Sequence, residues 1–94
     1  MTLPLKYQYV DYDALPMHMR QGAEDYIERG DQPGGFLFAV FVHDLVGAFA
    51  RADEINAAAM PAWAEWLYNE APSACWGSVE KVRAWQEQRR ASHE

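Results

Sequence analysis

Cys75, His43 and Asp44 supply the residue types of a thiol nucleophile, a general base and an orienting acid. His43 and Asp44 are neighbours in sequence, however, and adjacent residues on a helix point in different directions. Cys75 therefore reads as a buried, inert thiol and His43 as a surface or boundary residue. The carboxylates are equally unpromising as acid–base pairs. Glu24, Asp25 and Glu28 share one polar helix face, and Asp53 and Glu54 open another helix, where acids complement the N-terminal dipole. Three widely spaced histidines and one cysteine do not make a zinc site of ordinary spacing, and His18, His43 and Asp44 share no common point. Gly34-Gly35 lacks the further glycines and the lysine of a phosphate loop, so it reads as a turn. The expectation is a chain with no catalytic residues, no metal and no cofactor.

Contact, then, is the remaining mode of action, and charge decides what kind. The net charge is −6, unevenly spread: residues 1–70 hold eleven acids and four bases, whereas residues 71–94 hold three acids and four bases. An acidic field of this kind disfavours direct nucleic-acid binding and anionic membranes and favours a partner protein with a basic surface. Lone Cys75 excludes an internal disulfide, the N-terminus shows no signal-peptide pattern, and the longest apolar run, Phe36 to Val42, is far too short to span a bilayer. The cytoplasm is the expected compartment.

Positioning these residues requires a fold, and 94 residues suit one domain, with an extended arm over residues 1–14 and a helical core over residues 15–91. Leu3, Leu5, Tyr7 and Tyr9 alternate with Pro4, Lys6 and Gln8, which suits an extended arm packed across the helices; the alternative is pairing with a second copy. Met19, Ala23, Tyr26 and Ile27 mark the buried face of a helix over about 16–29, stopped by Gly30. Its opposite face, with Glu24, Asp25 and Glu28, is expected to be a solvated acidic stripe.

After the turn at 31–35, residues 36–50 form a largely apolar helix expected to be covered on most of its circumference. A strand is the rival reading, and His43-Asp44 marks a potential break, with Asp44 capping a second short helix. Asp53 caps a further helix running to about Glu70, kinked or split between 57 and 60 by Pro61. Cys75 and Trp76 turn inward, and Ser78 caps a last helix with Val79, Val82 and Trp85 buried and Lys81, Arg83, Arg89 and Arg90 exposed. The predicted fold is all-α: a compact bundle of four to five short helices with an extended N-terminal arm.

Four tryptophans in so small a domain belong mostly to the core, but one is expected to be partly exposed. Trp63 is that candidate, because Ala59 and Ala62 flank it rather than large apolar residues. The expected partner-binding residues are Glu24, Asp25, Glu28, Asp31 and Trp63.

Leu15-Pro16-Met17-His18-Met19-Arg20, Pro33-Gly34-Gly35-Phe36-Leu37, Asp44-Leu45, Arg51-Ala52-Asp53, Trp66-Leu67-Tyr68-Asn69-Glu70-Ala71-Pro72, Cys75-Trp76-Gly77-Ser78 and Glu80-Lys81-Val82 carry a further signal. Over roughly residues 14–86 the chain resembles a group of short, uncharacterised proteins encoded in tailed phages and prophages of proteobacteria, with Pro61 as a departure and the tyrosine-rich arm outside the likeness. The resemblance implies a non-enzymatic accessory protein acting in the host cytoplasm by stoichiometric binding. Inhibitors of host nucleic-acid-handling defence complexes, anti-CRISPR proteins among them, are such a class. A self-associating assembly protein, using Trp63 and the arm, is the alternative, so both monomer and homodimer remain open.

Overall fold

Residues that interrupt helices decide how this chain folds back on itself. In the computed structural model, which describes residues 10–92, six helices follow one another with short connections: α1 (Met17–Arg29), α2 (Gly35–Phe41), α3 (Leu45–Arg51), α4 (Glu54–Ala58), α5 (Met60–Asn69) and α6 (Val79–Ser92). A single 3₁₀ turn, Ser73–Cys75, joins α5 to α6, and no strand occurs among the described residues. The fold is thus the expected all-α bundle, with more helices than expected because both potential breaks are complete. The break after α2 occurs where His43 adopts a left-handed backbone (φ 70°), and Asp44 then caps α3 by accepting the Gly47 N–H at 2.9 Å. Pro61 lies in the first turn of α5, where its missing N–H costs nothing, so the chain divides at Ala59 instead of kinking.

Helix α1 packs against α6, α2 against α3, and α6 against the 3₁₀ turn. Gly30, at φ 74°, ends α1, and a Cβ there would stand 2.7 Å from the Gln86 carbonyl oxygen, so glycine permits both the left-handed cap and the close approach of α6. Tyr26, Phe41, Trp63 and Trp66 form the centre of the core. Their rings meet in series: Tyr26 to Phe41 at 4.3 Å, Phe41 to Trp66 at 6.1 Å and Trp66 to Trp63 at 5.9 Å between centroids.

Tyr26, Trp66 and Trp85 each hand a polar tip to another segment. The Trp66 indole donates to the Asp11 carbonyl at 2.7 Å, Tyr26 O–H to the Cys75 carbonyl at 2.6 Å, and the Trp85 indole to the Ile27 carbonyl at 3.1 Å. The Asp11 N–H also donates to Glu70, and Tyr12 lies 5.8 Å from Trp66, so residues 11 and 12 are fastened to α5. That much of the arm packs as expected; Leu3, Leu5, Tyr7 and Tyr9 lie outside the described residues.

Three burial expectations are corrected. Glu28 is buried, because α1 turns this residue toward α6, where its carbonyl accepts from Arg89 Nε at 3.0 Å. Arg89 is consequently buried too, its guanidinium 5.7 Å from the Trp85 ring, instead of exposed. Val79, expected inward, is exposed at the start of α6, one turn ahead of the point where Val82 reaches the core.

Asn56 is a buried polar residue that links α4 to α5. Its N–H is taken by the Asp53 cap at 2.7 Å, and its Oδ1 accepts from the Trp63 indole at 3.2 Å. Asn56→Ala leaves that indole N–H without its acceptor, an expected loss of about 2 kcal/mol. In thermal unfolding followed by circular dichroism this lowers the midpoint by roughly 10 °C.

Candidate functional site

Because α2 stops at Phe41 and the chain reverses through His43, α3 packs back against α2, and residues of α2, α3 and α5 together line one space. The reversal is fully hydrogen-bonded: His43 N–H donates to Val40 C=O at 3.1 Å and Asp44 N–H to Ala39 C=O at 2.8 Å. Gly77 N–H donates to Phe41 C=O at 2.8 Å and brings Trp76 to the same end, edge-on to the His43 ring at 6.1 Å. Gly47 belongs to this construction, since a Cβ there would collide with the Asp44 carboxylate that caps α3.

The result is an open apolar groove of about 540 Å³. Ala39, Val40, Trp63 and Leu67 line it together with Leu45, Ala48 and Phe49 of α3 and Met60, Pro61, Ala64 and Tyr68 of α5. His43, Asp44 and Trp76 complete the lining, and no lysine or arginine contributes. Large apolar side chains stand exposed around it: Tyr68 at 83%, Leu45 at 62% and Phe49 at 50% relative exposure, with Val46 of α3 at 79%. Four such residues on two short neighbouring helices go beyond the scattered apolar exposure of an ordinary surface.

Trp63 is therefore not the exposed anchor expected of it. At 1% exposure it lies beneath the groove, held edge-on to Phe36 at 5.5 Å and hydrogen-bonded to Asn56. The expected acidic residues lie elsewhere, on and just after α1. Asp25 and Asp31 both reach Arg29 at 2.9 Å, Gln21 also donates to Asp25, and Glu24 is partly buried. Asp31 first, and then Asp25, hold the Arg29 guanidinium more firmly protonated than usual. With Glu28 turned inward, the stripe is a partly neutralised cluster and not a row of four free carboxylates.

What sequence reasoning missed is the groove face that Leu45, Phe49 and Tyr68 share, and the exposure of Val46 on the same helix α3. Their signal was available once the break at His43 was complete: a seven-residue helix with apolar residues at 45, 46, 48 and 49 can bury only one of its sides. Among the described residues no group of three potential metal ligands converges.

The Cys75, His43 and Asp44 constellation does not assemble into a nucleophile. Cys75 is wholly buried, and burial pushes its thiol up to about 12 from an ordinary 9.0, while Asp44 is engaged in the α3 cap. A thiol raised on folding favours the native state only while it stays protonated. Its contribution is complete below pH 9.0 and is lost as pH rises toward about 12. The urea midpoint is expected to fall between pH 9 and pH 11, less steeply in Cys75→Ala; the native thiol is expected to react with a disulfide reagent at pH 8 far more slowly than in the urea-unfolded chain.

No family model matches this chain, and no curated protein or solved structure does so either.

Proposed function

We propose that the protein acts by stoichiometric contact with another protein, and that the groove between α3 and α5 is where contact is made. The observation that carries this reading is the gathering of exposed Leu45, Phe49 and Tyr68 around an apolar groove without a basic residue in its lining. Magnitudes favour this face over the acidic cluster as the source of affinity. Burying one large apolar side chain is worth about 1.5–3 kcal/mol. An exposed ion pair gives about 0–1 kcal/mol, and Asp25 and Asp31 already share Arg29.

Charge then selects the partner. Between residues 43 and 71 the chain carries five acids (Asp44, Asp53, Glu54, Glu65 and Glu70) and one base, Arg51, a balance of −4 with His neutral. The stretch that builds the groove thus holds most of the molecule's excess negative charge, which favours a partner with a basic surface and speeds encounter with it. This accords with the phage-protein resemblance: an accessory protein in the host cytoplasm that occupies a nucleic-acid-handling complex at a face normally facing phosphates. Among the described residues no helix is long and apolar enough to cross a membrane.

Capture from host lysate by the tagged protein, followed by mass spectrometry, tests the reading when repeated with Leu45→Glu/Phe49→Glu. Both side chains are exposed, so the thermal midpoint should hold within a few degrees while capture falls at least tenfold. Charge reversal at Glu24 and Asp25 should change the result only a few-fold, and only at low salt. Capture that survives the groove variant would remove the groove from the mechanism. A concentration-dependent dimer in sedimentation, abolished by the same variant, would instead assign the face to a second copy.

A further inference from the structure

What the groove would hold follows from its walls, given that it is the contact site proposed above. Both long walls are helices, and no strand edge exists among the described residues, so there is no row of free backbone groups to which an extended peptide could add as a strand. The lining is mostly carbon: His43, Asp44 and Trp76 gather at the end where α2 turns into α3, and on α5 the Trp63 N–H is already taken by Asn56, which leaves the Tyr68 hydroxyl as the polar group of that wall. A ligand recognised here is gripped through side chains along one apolar stripe. That is how an amphipathic helix is recognised.

Length agrees. The longer wall, α5, has ten residues, or about 15 Å of helix axis. Anchors at i, i+3 or i+4, and i+7 of a docked helix span about 10 Å, so two turns fill the groove. Charge sets the flanks. Asp44 lines one end, and Glu65 stands exposed on α5 between the groove-lining Pro61 and Tyr68, at i+4 and i−3 from them. The one arginine of the surrounding stretch, Arg51, donates to the Gly47 carbonyl and lies against Gly35, away from the groove lining.

We propose that the groove takes an amphipathic α-helix of the partner, about two turns long, with apolar anchors on one face and lysine or arginine beside them.

Three synthetic probes test this on the intact chain by amide chemical-shift titration: a leucine–lysine amphipathic helix of about 14 residues, its leucine–glutamate counterpart, and the lysine peptide with central proline. Saturable shifts at Ala48, Phe49, Ala64 and Tyr68 with the lysine helix, at least tenfold weaker binding of the glutamate and proline peptides, and loss in Phe49→Glu would support the proposal. Equal binding of lysine and glutamate helices would overturn the charge component. Equal binding of the proline peptide would overturn the helix. If none of the peptides shifts these residues while Leu45→Glu/Phe49→Glu still abolishes capture from lysate, the helix inference fails and the contact function stands; if that variant has no effect on capture, the contact function fails as well.

Discussion

Every large aromatic side chain in a small core brings a problem with it, because the indole N–H or phenol O–H must be buried along with the ring and must find an acceptor there. At four of these side chains, Tyr26, Trp63, Trp66 and Trp85, the polar tip goes to a different segment, whereas the buried Tyr12 O–H and Trp76 N–H meet no acceptor among the described residues. Trp66 reaches Asp11, Trp63 reaches Asn56, Trp85 reaches Ile27 and Tyr26 reaches Cys75. An unmet buried donor costs about 1–3 kcal/mol, comparable to a sizeable part of the stability of a small domain. The four bonds therefore fix which segments can be neighbours. They tie the residues before α1 to α5, α4 to α5, α6 to α1, and α1 to the 3₁₀ turn, and the apolar contacts then fill the space so defined.

Short helices follow from the same arrangement. Isolated helices of five to ten residues are unstable in water, so α2 to α5 depend on caps and on packing for their existence. Asp44 and Asp53 each accept a backbone N–H from the first turn of their helix. Asp53 also meets His18 at 2.9 Å; the Asn56 N–H first, and His18 second, draw its carboxyl below the usual aspartate range. Folding stability from this group is present at neutral pH and is lost as acid protonates the carboxylate. Once α2 has used its apolar surface on the core, α3 has one buried residue, Ala48, and its larger side chains remain outside.

Local chemistry was the legible part of the sequence. The Gly30 stop, the Asp44, Asp53 and Ser78 caps and the interruption by Pro61 each depend on residue types within a few positions, and each appears in the fold. Burial was harder where it depended on which helix came alongside. Glu28 and Arg89 are ordinary charged residues on their own helix faces, and only the α1–α6 contact buries them. The small neighbours of Trp63 suggest a surface position, yet the ring is held deep by Phe36, Trp66 and Asn56, residues about one turn or more away along the chain. The groove was illegible for a related reason: α3 and α5 are separated in sequence by α4, and no periodicity within either helix says that the two will stand side by side.

The backbone conformation at His43 bears on how such a groove could bind. A left-handed residue other than glycine costs roughly 1–2 kcal/mol, although histidine is among the side chains found there more often than most. Here it is overdetermined: four backbone hydrogen bonds, from Val42, His43, Asp44 and Gly77, close on the turn within a few residues. A bend held by so many independent bonds keeps α3 in one orientation relative to α2, with Leu45 and Phe49 already facing the space beside α5. Binding to walls set in advance spares the entropy of ordering them, which is a main reason why interfaces of equal area differ in affinity. The strain at residue 43 thus has a use if the groove holds a helix, whereas a purely structural connection between α2 and α3 could have used glycine at no such cost.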